Sequence, residues 1–442
     1  MPTSYLPYQP EQQFLLPPSP QEWLPEGHLA YYISDTVDQL DLSAFHARYA
    51  KEGPRNQPFH PVMMVKVLLY AYASGVFSSR KIAAKLHEDV AFRVLGAGNF
   101  PAHRTLSDFR AVHLQELSAL FVQVGKLARE CGLVKLGTIT VDGTKLKANG
   151  SRHKAMSYGR MREEQARLEA EIAQLLERAR RTDQQEEAHP QLDMPAELQR
   201  RERRLEMIRA ARERLEARQA EQDAARGRKP DDERQPRHPD GSPKRGRRYK
   251  REFGQPDDKE QDNFTDPDSR IMKRAGGGFD QCYNAQAAVD AEQQIIVAAE
   301  LTNCAADNDQ LVPMLDAVQA NLGSAPEQAL ADAGYRGEQV FEQLHGRATR
   351  CLVALGREGR EQLEIDAAKY PHSAQMAARL DSAQGAAAYR RRKAIAEAPN
   401  GWVKHVLGFR QFSLRGLDKA RGEWKLVCLA LNLRRMCSLV AL

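Results

Sequence analysis

Two aspartates, far apart in the chain, stand where chemistry is most easily placed. Asp142 follows Gly137-Thr138-Ile139-Thr140-Val141 and precedes Gly143, while Asp332 follows Ala329-Leu330-Ala331 and precedes Ala333-Gly334. The run before each aspartate reads as a short strand, so both carboxylates sit at strand ends, outside which ligand sites gather. Two carboxylates brought together repel, and they need either a shared proton or a cation. Oxygen-only ligation favours Mg²⁺ or Mn²⁺, and two such ions roughly 3.5–4 Å apart would activate water and stabilise the leaving oxygen of a phosphoryl transfer. A third acid from a late helix would complete the cage. A plainer reading stays open at this point, because an aspartate beside a glycine is also ordinary turn chemistry.

The elements that must hold this pair follow from periodicity. Residues 137–150 read as a hairpin that turns at Gly143 and leaves through a second alternating segment. Strand pattern resumes at Gly278–Asp290, with an antiparallel partner over Gln294–Leu301. A helix beginning with acids spans Asp307–Leu322, a strand ends at Asp332, another covers Cys351–Leu355, and helices complete the order. This is an α+β chain whose mixed sheet carries flanking helices, and it resembles the ribonuclease-H-like fold. The sheet is expected from residues 131–154 and 263–442.

Residues 155–262 interrupt that sheet. Leu168, Ile172, Leu175 and Leu176, then Leu198, Leu205, Ile208 and Leu215, trace a narrow apolar seam. Such a seam predicts two long helices in a coiled-coil hairpin. Residues 228–262 are polar and charged, which predicts a mobile loop. Ahead of the sheet, residues 1–25 form a proline-rich arm and 26–130 an all-α domain. Short helices there place Arg80, Lys81, Arg104 and Arg110 at polar positions, as in a helix-turn-helix-like DNA reader. A helical packing domain with ordinary surface arginines fits the same pattern.

Bulk composition narrows the class. Hydrophobic residues at 42% and charged residues at 28% describe a soluble, folded chain. The net charge of +6 is clustered, at residues 245–251 and 390–393. Such runs suit a polyanion, and solvated basic faces equally. Six scattered cysteines without CxxC spacing indicate neither a disulfide framework nor a zinc site. No apolar run approaches the roughly 18 residues of a membrane span, and the N-terminus lacks a signal-peptide pattern, so a cytosolic protein is expected.

Longer strings carry a family resemblance. Asn263-Phe264-Thr265-Asp266-Pro267-Asp268-Ser269-Arg270, Tyr283-Asn284-Ala285-Gln286-Ala287-Ala288-Val289-Asp290, Ala331-Asp332-Ala333-Gly334-Tyr335 and Gly408-Phe409-Arg410-Gln411-Phe412-Ser413-Leu414-Arg415-Gly416-Leu417 are similar to DDE transposases of bacterial insertion sequences. Leu15-Leu16-Pro17-Pro18-Ser19 and Phe59-His60-Pro61-Val62-Met63-Met64 match the same group, so the likeness covers nearly the whole chain. Within that family it resembles the insertion-sequence four/five superfamily, in its eleven-eighty-two-like group. The resemblance implies a metal-dependent enzyme that binds terminal inverted repeats and cuts and transfers DNA strands. It implies Asp142, Asp332 and Glu397 as a triad on two Mg²⁺ or Mn²⁺ ions. Double-stranded DNA, both element ends and target, would be the partner, met by a homodimer in the cytoplasm at the nucleoid.

The third acid departs from the family's Val-Glu-Pro-Val-Phe-Gly, since this chain has Ala396-Glu397-Ala398-Pro399-Asn400-Gly401. In the tyrosine–arginine–glutamate–lysine signature Lys404 takes the lysine position and Lys393 replaces the arginine, with Tyr389 one position out of register. Glu423 and Glu364 are rival acids. Lys393, Lys404, Arg410 and Arg415 are the expected DNA contacts, while Phe409 and Phe412 would be DNA contacts or core. The departure at Glu397 leaves a catalytically eroded DNA-binding remnant as one alternative. A ribonuclease-H-like nuclease without strand transfer is another.

Overall fold

Apolar stripes set the N-terminal architecture. Among the described residues, seven helices, α1 (Leu29–Asp38), α2 (Ser43–Ala47), α3 (Pro61–Ala73), α4 (Ser79–Glu88), α5 (Val90–Gly96), α6 (His103–Val112) and α7 (Leu114–Glu130), precede the first strand. The computed structural model describes residues 19, 22–49, 57–185, 194–238, 242, 246–274, 276–356 and 365–440. Most of the expected arm, and Glu364, therefore lie outside the described residues. As its composition predicts, α3 is buried almost all round, and proline at its first turn costs it no hydrogen bond.

The expected hairpin at Gly143 is corrected to one uninterrupted strand, β1 (Thr138–Lys147). Glycine serves close approach here, because an added Cβ would run into the Gln286 side chain on the facing strand and stand 2.8 Å from Asp307 Oδ1. Next come β2 (Ala155–Ser157), the long helices α8 (Tyr158–Gln185) and α9 (Met194–Ala225), and β3 (Gln261–Asn263), antiparallel to β2. The two helices form the antiparallel hairpin that the seam predicts. Met161, Leu168, Leu205, Ile208, Ala211 and Leu215 are buried between and beside them, in an apolar cluster separate from the main core. Pairs such as Arg201–Glu171 (2.8 Å) and Arg209–Glu169 (2.8 Å) flank this seam.

The expected mobile loop is tied down where it is described. Arg228 bridges Asp223 (3.1 Å) and Asp232 (2.9 Å), with the Tyr249 ring 4.1 Å from its guanidinium. Arg214 and Arg218 clamp the buried Asp262 at 2.6 and 2.9 Å. Sequence polarity missed this because charges that find partners pack as firmly as apolar groups.

The main sheet continues with β4 (Arg270–Lys273), β5 (Phe279–Asp290), β6 (Ile296–Thr302), helix α10 (Leu311–Leu322), β7 (Gln328–Ala331), α11 (Glu338–Leu344) and β8 (Arg350–Val353). One edge of β5 pairs antiparallel with β1, the other with β6 and β4. Parallel strands β7 and β8 extend the sheet beyond β1. The result is a mixed six-stranded sheet in an α+β chain.

Four helices close the chain, namely α12 (Pro371–Asp381), α13 (Ala383–Arg390), α14 (Arg392–Gly401) and α15 (Leu417–Val440). Pro399 lies inside α14. It cannot donate to the helix ladder, and the chain answers by widening into a π-helical turn at Trp402–Val406. Along α15, Leu426, Val427, Leu429, Ala430 and Leu433 are wholly buried. Each such leucine or valine contributes about 1.5–3 kcal/mol of transfer free energy. One apolar cluster runs from Ala30 and Leu68 through Val141 and Leu330 to Met436, so the N-terminal helices and the sheet share a core. No helix among the described residues is long and apolar enough to cross a membrane.

Candidate active site

Register brings the two aspartates together. Val141 pairs with Ala331 at the end of the parallel β1–β7 ladder, so Asp142 and Asp332 are the next residues on adjacent strands. Neighbouring strands lie about 4.8 Å apart. Asp142 Oδ1 accepts its neighbour Gly143 N–H at 2.9 Å, and Oδ2 accepts Asn400 Nδ2 at 3.0 Å. Burial, and then the charge of Asp332, push the Asp142 carboxyl up to about 6, against opposing pulls from Gly143, Arg392 and Asn400. Asp332 caps a short turn at Ala333–Tyr335, its Oδ1 accepting Gly334 N–H at 2.8 Å.

Helix α14 and its π-helical extension cover the pair. Lys404 Nζ donates to Thr144 Oγ1, two residues along β1 from Asp142. Burial lowers the Lys404 pKa, Asp142 opposes that, and nearby Arg274 adds to it. Tyr389 donates its hydroxyl to Ala331 O at 3.2 Å, directly before Asp332. Arg392 lies 5.8 Å from the Tyr389 ring, and its Nε is buried with no hydrogen-bond partner among the described residues. Within the basic run 390–393, Arg392 is thus the residue whose charge bears on Asp142, while Lys393 is exposed.

Glu397 is exposed on α14, without a hydrogen bond or ion pair among the described residues. It lies one turn before Asn400, and residues three apart on a helix are neighbours, about 5–6 Å between Cβ atoms. Among the described residues, no group of three or more His, Cys, Asp or Glu is assembled to hold a metal. Asp142 and Asp332 are neighbours, and among the described residues no third acid is gathered with them. The rival Glu423 is excluded by its surroundings. Wholly buried, it accepts Tyr72 Oη (3.0 Å), Ser413 N (2.8 Å), Leu414 N (3.1 Å) and Ser413 Oγ.

The same network corrects the expectation for Arg110. Its side chain is buried, donating to Tyr72 Oη at 2.8 Å and Phe77 O at 3.0 Å, so it does not face solvent or DNA. By contrast, Arg80 and Lys81 on α4 and Arg104 on α6 are exposed. Arg410 and Arg415 are exposed too, their Nε atoms donating to Lys404 O (3.2 Å) and Asn149 O (3.0 Å). Phe409 and Phe412 are buried and pack on each other edge to face, so both belong to the core.

Residues 18–112 match a family described as Transposase domain (DUF772), and residues 247–433 match one described as Transposase DDE domain. Asp332, Tyr389, Arg392, Glu397, Asn400 and Lys404 fall inside the second match, whereas Asp142 precedes it. Together the two matches support a DDE transposase, an enzyme acting on DNA. No curated protein and no solved structure matches the chain.

Proposed function

We propose that the chain is the DNA transposase of a bacterial insertion sequence, cutting its element's ends and joining them to target DNA through Asp142, Asp332 and Glu397. The observation that carries this reading is the β1–β7 register, which sets Asp142, midway along β1, beside Asp332 just past the end of parallel β7. The sheet order supports a ribonuclease-H-like reading: β1, β5 and β6 run antiparallel, β7 and β8 run parallel to β1, and β4 adds a sixth strand on β5.

The donor set fits a hard divalent cation. Both groups are carboxylates, and burial, then the charge of Asp332, already raise the Asp142 pKa, so a cation held there would relieve an existing cost. Asp142 and Asp332 would hold Mg²⁺ or Mn²⁺, two ions in the full site, with Glu397 as the third acid from α14. When bound, the metal supplies Lewis acidity at phosphorus and a more acidic water. The chain itself orients the carboxylates: Gly143 N–H and Asn400 hold both oxygens of Asp142, and the capped turn holds Asp332. Lys404 and Arg410 grip phosphate, which positions the strand without specifying its sequence. Water attacks phosphorus at the element end and the 3′-oxygen leaves. That freed 3′-OH then attacks a target phosphodiester in line, one P–O bond forming as another breaks.

Exposed Arg80, Lys81 and Arg104 are assigned to the terminal inverted repeats, and the working unit is a homodimer on DNA in the cytoplasm. The test is incubation of the full chain with Mg²⁺ and duplexes carrying the element ends. Nicks at those ends, followed by joining to a target plasmid, support the reading, and intact duplex opposes it. One observation favours a second reading, a DNA-binding remnant without activity: among the described residues no third acid is gathered with Asp142 and Asp332 into a metal-holding group. Specific binding to the ends without any metal-dependent nick would select that alternative.

A further inference from the structure

We infer that Asp307 is a positioning residue, which fixes the turn carrying Asp332 against the strand carrying Asp142. The inference rests on the catalytic reading of that pair. Asp307 lies between β6 and α10 and is half-buried. Three donors from two strands converge on its Oδ1: Asn284 Nδ2 (2.6 Å) and Gln286 Nε2 (2.8 Å) from β5, and Lys145 Nζ (3.0 Å) from β1. Lys145 Nζ also lies 3.4 Å from Oδ2.

The network reaches the active turn through Gln286, and Asp307 lies beside that turn. Gln286 accepts the hydroxyl of Tyr335, the residue that ends the Asp332-capped turn. Asp307 Oδ2 also approaches within 3.4 Å of where a Cβ on Gly334 would stand, and Gly334 N–H donates to Asp332. One carboxylate thereby ties together β1, β5 and the turn of Asp332. Tyr335 records the convergence, since burial and then the charges of Asp307, Asp142 and Asp332 all hold its phenol well above its ordinary pKa.

Removing that carboxylate's charge has two consequences for a cation at Asp142 and Asp332. The hold on Asn284 and Gln286, which accepts Tyr335 of the turn, weakens, and Lys145 is left as an unpaired ammonium beside the site, repelling a divalent ion. Outer residues that orient metal ligands typically cost about 10- to 100-fold in affinity or activity when changed.

The experiment measures Mn²⁺ binding to the full DNA-free chain by electron paramagnetic resonance, with melting followed in chelator. Asp307→Asn is expected to lose about tenfold or more in Mn²⁺ affinity, with melting and end-DNA affinity close to wild type. A folded Asp307→Asn protein with wild-type Mn²⁺ affinity overturns the inference. So does an affinity loss no larger than its loss of fold accounts for. If that variant does not fold, Gln286→Met cuts the same chain of bonds without changing a charge and is read in its place. A wild-type chain that binds no Mn²⁺ defeats the catalytic reading itself, whereas binding by wild type and Asp307→Asn alike defeats only the role of Asp307.

Discussion

Replacing Asp142 by asparagine should stabilise the metal-free protein while ending its chemistry. The carboxyl is raised from an ordinary 3.8 to about 6, by burial first and by Asp332 second. A folded pKa above the unfolded value means that the folded state binds the proton more tightly, so ionisation penalises folding. That penalty is fully present above about pH 6 and shrinks as pH falls from there towards 3.8. Two units of displacement correspond to about 3 kcal/mol near pH 7.5, and to about half of that near pH 5. Asparagine keeps the shape but has one oxygen for two donors, and the lost hydrogen bond returns about 1 kcal/mol. The net gain of about 2 kcal/mol corresponds to roughly 2 °C in a chain of this size, treated as two-state. Scanning fluorimetry in chelator at both pH values measures it, with Mn²⁺ as a further arm. Mn²⁺ should raise the melting temperature of wild type and leave the variant nearly unmoved. A variant that melts with or below wild type near pH 7.5, or gains equally at both pH values, would refute the reasoning.

Other perturbations test the frame around the pair. Ser157 and Gln261 are cross-strand partners, so replacing residues 158–260 by an Asn-Gly turn should leave the main sheet folded; loss of its circular-dichroism signature and cooperative melt would place the insertion in the core. Glu423→Ala strands Arg110 and Tyr72 in the interior and should cost about 3–5 kcal/mol in chemical denaturation. An effect under about 1 kcal/mol would show that this network is relaxed or wet. Arg80→Ala with Lys81→Ala should flatten the dependence of log Kd on log salt by about 0.9 per lost phosphate contact. An unchanged slope would move DNA contact away from α4.

How far the sequence disclosed all this depended on the range of the interactions. Asp332 follows the end of β7 as its local pattern predicts, whereas Asp142 lies midway along β1, where the parallel register, and not a strand end, brings it beside Asp332. Gly143 was misread because glycine serves turns and close approach alike, and the carboxylate that needs the space lies far along the chain at Asp307. Arg110 looked like a surface cation on a short helix, yet its partner Tyr72 is buried on α3 and backed by Glu423 on α15. The same distance hid Asn400 and Arg392: a run of four basic residues does not say which one turns inward. The separate helical domain anticipated from composition shares its core with α15, whose apolar face gives no hint of its neighbours. Glu397 was assigned by resemblance alone, and it is exposed on α14.

The central claim is that Asp142 and Asp332 act together as the metal-binding pair of a strand-cleaving enzyme. Single-turnover cleavage of an end-bearing duplex in Mg²⁺, with binding measured in parallel, tests it most directly for wild type, Asp142→Asn and Asp332→Asn. Wild type should cut at the element end, while each variant binds the duplex within about twofold of wild type and leaves it uncut, because phosphate-gripping cations are untouched. Cleavage at the wild-type rate by either variant would contradict the account.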